Sequence, residues 1–116
     1  MASALRVQRI AAKSEFDHIF SSGKRYARRN LVFIYTPSSH KQSRLAVIVS
    51  KKCFKQAVHR NYVKRIQRVL FQDLVTDSPM DLVVITRPSI ARVALDDRFS
   101  TIKNHWEDFA KCLASC

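Results

Sequence analysis

Apolar and polar positions along this chain fall into blocks whose period switches between helical and extended. Phe16, Ile19 and Phe20 recur at i, i+3 and i+4 after Ser14, which with Asp17 fits a helix-capping pattern. Ser21, Ser22 and Gly23 end that helix, and Gly23 stands where a left-handed cap is expected. Residues 31–36 are β-branched and aromatic and predict a strand. A polar loop with His40 and Lys41 follows. A second strand is predicted over 44–50, antiparallel to the first and covered on both faces, and a third over 81–86, stopped by Pro88. Two longer helices are predicted, at 56–73 and 96–113. In the latter, Phe99, Ile102, Trp106, Phe109 and Leu113 form a core stripe, and Asp96 and Asp97 suit its N-terminal end. The order helix, strands, helix, strand, helix defines an α+β layout.

The 116 residues suit a single domain over 1–116, with 1–7 and 114–116 as flexible ends of a basic lead-in and a closing helix. A hydrophobic content of 47% is enough to fold without metal or disulfide. Cys53, Cys112 and Cys116 form no CxxC pair, and His18, His40, His59 and His105 are scattered, so no metal site is expected. No apolar run reaches membrane-spanning length and residues 1–13 carry no secretory core segment, which implies a cytoplasmic protein.

Charge changes the picture most. The net charge is +12, and between His18 and Gln72 there are thirteen Lys or Arg and no acid. Such self-repulsion calls for a repetitive anionic partner, and nucleic acid fits better than a membrane surface. The charge is focused on the 56–73 helix. There Val58, Tyr62, Val63, Ile66, Val69 and Leu70 share an arc of roughly 140°, opposite Arg60, Asn61, Lys64, Arg65 and Arg68. Lys51, Lys52 and Lys55 lie just upstream. A merely solvated helix would interleave acids at i+4, and this one has none. The weight on arginine favours bidentate phosphate contacts.

The segment Leu45–Arg65 resembles the signature of the ribonuclease P protein component. That family has a strand ending in Ser-Lys-Lys, then Ala-Val-x-Arg-Asn-Arg-x-Lys-Arg on a helix. Ser50, Lys51, Lys52, Ala57, Val58, Arg60, Asn61, Lys64 and Arg65 match it. Tyr62 replaces the second arginine, with its ring expected on the apolar arc and its hydroxyl outward. Phe16, Phe20, Gly23, Lys24, Arg25, Tyr35 and residues 81–88 extend the resemblance over roughly 8–112.

The resemblance implies an α+β fold with a single four-stranded mixed sheet and three helices. This ribosomal protein S5 domain 2-like arrangement includes a left-handed βαβ crossover that general rules disfavour. It also implies a non-catalytic subunit of an endoribonuclease whose RNA subunit, with Mg²⁺, removes the 5′ leader of precursor tRNA. No protein partner is required. Lys51, Lys52, Lys55, Arg60, Asn61, Lys64, Arg65 and Arg68 would bind the RNA subunit. Phe16, Phe20, Lys24, Arg25 and Tyr35 would line a cleft for the leader, the aromatic rings stacking on its bases. By spacing alone, Phe16 and Phe20 read as core residues, and only the resemblance sets exposure in a cleft beside that reading on equal terms. Two rivals stand beside this reading. A protein-only nuclease would need convergent carboxylates, which the sequence does not show. A general ribosome-associated or chaperone RNA-binding protein fits the charge but not the Arg60-Asn61/Lys64-Arg65 motif.

Overall fold

A computed structural model of the chain describes residues 8–10, 12–38, 41–74 and 78–115. The lead-in over 1–7, His40 and Cys116 lie outside the described residues. The elements in chain order are β1 (Gln8–Arg9), α1 (Lys13–Ser22), β2 (Lys24–Ala27), β3 (Leu31–Pro37), β4 (Arg44–Ile48), α2 (Ala57–Gln72), β5 (Met80–Thr86) and α3 (Leu95–Ser115). A short 3₁₀ turn at Pro88–Arg92 joins the last two.

The strands form one mixed sheet in the order β1-β4-β5-β3-β2. Its four longer strands and three helices are the architecture expected, and the two-residue β1 extends the outer edge of β4. The expected pairing of 44–50 with 31–36 is not observed. β5 inserts between them, parallel to β4 and antiparallel to β3. Strands consecutive in sequence usually neighbour each other, but β5 is the more continuously buried strand and takes the centre. β2, where no strand was expected, pairs antiparallel with β3 along the opposite edge.

Period-two alternation divides the core into two layers. Leu31 and Phe33 of β3, with Leu45, Leu82 and Val84, face α2 and α3. Val32 and Ile34, with Ala46 and Val83, face Ile19 of α1. The first layer is thick and aromatic: Phe33 stacks on Phe109 at 4.3 Å, and Trp106 meets Phe33 edge-on at 5.2 Å.

Two local expectations for α1 fail. The helix starts at Lys13 after Ala12, with no side-chain cap, so Ser14 lies inside the first turn and Asp17 beyond it instead of forming a capping box. Gly23 is extended, not left-handed. Glycine is required there for space, because a Cβ would sit 2.5 Å from the Ile19 carbonyl oxygen and 3.0 Å from that of Tyr35.

Candidate nucleic-acid interface

α2 presents its cationic face on a firmly seated helix. Val63, Ile66, Gln67 and Phe71 are its buried residues. Relative to the predicted arc this face is rotated by roughly 80° about the helix axis. The cause is Gln67. It is wholly buried, donates Nε2–H to Thr86 Oγ1 at 3.0 Å and accepts from Trp106 Nε1 at 3.3 Å. A polar side chain with both ends satisfied is tolerated in a core, and these partners come from β5 and α3. Val58 and Val69, expected in the core, are 65% and 49% exposed, and the Tyr62 ring is partly exposed at 38%. The rotation puts Asn61 and Arg65 at the crown of the helix, both exposed. Lys64 and Arg68 are half-buried on one flank.

Arg60 has a structural task. Its Nη1 donates to the carbonyls of Phe54 and Lys55, both at 2.8 Å, and so pins the turn that enters α2. That turn carries Lys51, Lys52 and Lys55, all exposed. Two further arginines of the acid-free stretch are also engaged. Arg28 pairs with Asp108 at 2.9 Å. Arg44 makes a bidentate pair with Asp81, at 3.0 and 2.8 Å, and reaches Glu15 of α1 at 2.6 Å. The Asp81 hydrogen bonds hold the Arg44 guanidinium protonated still more firmly than usual, against the opposing effect of burial. The charge excess is therefore narrower than the residue count suggested. It concentrates on the α2 crown, the lysine turn and the sheet edges.

The second surface lies on the α1 side. Among the described residues, the ten-residue α1 is the helix that covers this face of the sheet. Phe16 is half-buried, and Phe20 is 39% exposed and stacked on it at 6.2 Å. Ile48 and Ile85 are half-buried on the sheet floor beside them. Sequence alone did not single out these two isoleucines, because strand parity decides which face they line. Arg25 pairs in register with Ile34, which faces α1.

Lys24 and Tyr35 do not belong to this cleft, contrary to expectation. They are cross-strand partners on the opposite face. The Tyr35 ring meets Phe109 edge-on at 5.4 Å. Both line a separate hollow of about 600 Å³ together with Ala110 and Leu113 of α3. The one-residue step from Ile34 to Tyr35 reverses the side of the sheet.

Among the described residues, no three His, Cys, Asp or Glu side chains converge as a metal site. No helix among them is long and apolar enough to cross a membrane. Cys53 is buried and donates to the Thr86 carbonyl at 3.3 Å.

This combination defines a compact one-sheet α+β protein with a cationic helix crown on one face and an open aromatic ledge on the other. The family model for ribonuclease P matches residues 5–110, and the chain belongs to that protein family. The ribonuclease P protein component of Legionella pneumophila (strain Corby) is 29% identical over 108 residues, covering 92% of this chain and 93% of the relative. That of Petrotoga mobilis is 35% identical over 99 residues, covering 84% and 83%. The Staphylococcus aureus RNase P protein structure superposes with a TM-score of 0.76 at 26% identity, covering 93% of this chain and 99% of that one. The Thermotoga maritima RNase P protein gives 0.73 at 26% identity, covering 90% and 96%.

Proposed function

We propose that this chain binds the catalytic RNA of ribonuclease P through the crown of α2 and the lysine turn before it. It holds the 5′ leader of precursor tRNA on the α1 ledge. The observation that carries the reading is selective pairing. Arg28 and Arg44 have acidic partners. Among the described residues, Lys51, Lys52, Lys55, Lys64 and Arg65 have none, and four of these five are exposed. Uncompensated cations on a rigid helix are suited to a phosphate backbone, whose released counterions favour binding. Phe16, Phe20, Ile48 and Ile85 offer flat apolar area to unstacked bases, and Arg25 can follow their phosphates.

Hydrolysis of the phosphodiester, with Mg²⁺, belongs in this reading to the RNA subunit. The protein raises affinity for the precursor and supports the RNA fold where magnesium is scarce. It works in the cytoplasm, where precursor tRNA is made.

Reconstitution tests the whole. Purified chain alone is expected to leave precursor tRNA intact, and chain plus the RNA subunit to release the leader at low Mg²⁺. Cleavage by RNA-free chain at normal turnover would overturn the assignment. Binding to ribosomal RNA as tight as to the RNA subunit would favour a general chaperone instead.

A further inference from the structure

The open outer edge of β4 carries a feature that the α2 crown and the α1 ledge do not explain. Among the described residues, β1 pairs only with Arg44 and Leu45, and none pairs with the outer edge of β4 from Val47 onward. A hollow of about 160 Å³ lies there, lined by Ile10, Phe16, Val47 and Ile48, with Arg9 of β1 and Arg68 of α2 at its sides. Two guanidinium groups thus flank one small cavity. Among the described residues no acid lines it, and Glu15, next to Phe16 in the chain, is held by Arg44. Burial lowers the Arg68 pKa, and the charge of Arg9 lowers it further. Like charges brought together without a counterion weaken the free fold, and an anion between them would reverse that effect.

We propose that Arg9 and Arg68 form a two-arginine clamp for a single RNA phosphate. The clamp bridges the first strand and α2 at the end of the aromatic ledge. This rests on the RNA-binding reading above and extends it to Arg9, whose position in β1 gives it no place in the α2 motif. Planar guanidinium forks suit bidentate phosphate contacts, and the apolar floor of Phe16 and Ile48 excludes competing water. A phosphodiester of the RNA subunit and one of the precursor leader share this chemistry.

The test uses full-length wild-type chain, Arg9→Ala, Arg68→Gln and the double variant, with Arg65→Ala as a reference. Arg68→Gln keeps a polar stem and removes only the charge. Thermal melts in chloride buffer, with and without inorganic phosphate, read the free protein. Phosphate is expected to raise the melting temperature of wild type and Arg65→Ala, and to lose this effect in either clamp variant. Affinity is then measured for the RNA subunit, and in the reconstituted enzyme for precursor against mature tRNA. Each single clamp variant is expected to bind roughly tenfold more weakly, as for one lost charge-assisted hydrogen-bond pair. The double variant is expected to lose little more than either single one, because both side chains hold the same phosphate. Loss towards the RNA subunit assigns the phosphate to that partner. Loss confined to precursor over mature tRNA assigns it to the leader. Losses that multiply in the double variant, or no loss in either single variant, would overturn the clamp. If Arg65→Ala still weakens RNA-subunit binding in that case, the broader reading stands without it; if it too has no effect, that reading fails as well.

Discussion

The two faces of the sheet are built from similar residues but finished differently. On the α2/α3 face, Phe33, Trp106 and Phe109 interlock, and none is more than 3% exposed. On the α1 face, the short helix seats only Ile19 completely, while Phe20, Ile48 and Ile85 keep contact with solvent. One face carries most of the buried aromatic area that stabilises the fold. The other leaves apolar surface unfilled, a feature more typical of binding sites than of finished cores. An aromatic pair at helical spacing can therefore belong to either, and the thickness of the covering layer decides which.

That contrast can be broken most severely at Phe109. Phe109→Ala is expected to destabilise the protein by about 3–5 kcal/mol, seen as a large drop in denaturation midpoint. A loss under about 1 kcal/mol would mean that the two faces share the stabilising role. Arg44→Ala probes the tie between α1 and the sheet it covers, since Arg44 links Glu15 of α1 to Asp81 of β5. Stranding the nearly buried Asp81 carboxylate is expected to cost about 3–5 kcal/mol. Glu15→Gln, which leaves the Asp81 pair intact, should cost much less in denaturation experiments. Phe20→Ala should keep the fold but weaken precursor tRNA binding more than mature tRNA binding, by on the order of 1–3 kcal/mol for a lost base stack. Equal losses for both substrates would return Phe20 to the core.

A pH experiment sharpens the comparison at the edge of the packed face. His105 bonds to Asn30 at 2.9 Å, and burial, followed by the charge of Arg28, pushes its pKa below 6.5. The neutral imidazole is favoured in the fold, so its contribution is complete above about pH 6.5 and lost as pH falls towards the lowered folded value. Melts between pH 7.5 and 5 should show this loss, and His105→Gln should flatten it. The smallest effect on stability is expected at the crown. Arg65→Ala should change it by less than about 1 kcal/mol, yet weaken RNA-subunit binding and flatten its salt dependence by somewhat under about one unit. Lys103→Ala, exposed on α3, is the matched control. Equal losses from both would reduce the interface to diffuse charge. Arg98 would be a poor control, because it stacks on Phe54 at 4.8 Å and donates to the Val93 carbonyl.

Much of this was legible in the residues alone. Helical periodicity located α2 and α3 to within a residue or two at most ends, and β-branched runs located β3 and β5. Spacing and charge put Asn61 and Arg65 on a cationic face of α2, and the fold leaves both exposed. The failures share one cause, which is dependence on distant partners. β2 has no apolar alternation and exists because β3 pairs with it. The α2 wheel was misaligned because the partners that satisfy Gln67 lie on β5 and α3. Tyr35 lies on the face opposite the α1 cleft because strand parity follows from sheet register, which local sequence does not reveal. Arg44 reads as free charge in the sequence because its two acids lie far away in the chain.

The corner at Gly23 has a consequence for how this protein can vary. The space beside its Cα is already taken by the carbonyl oxygens of Ile19 and Tyr35 and by the Ile34 methyl group. Two of the three are main-chain atoms, which cannot turn aside as a side chain would. In a library randomised at codon 23 and selected for a folded product, glycine should dominate the survivors. Neighbouring codon 22, whose serine is exposed, should drift almost freely. The ledge and the β2 edge thus meet at a joint of fixed dimensions, and the reach from Phe20 to Arg25 becomes an inherited length rather than an adjustable one.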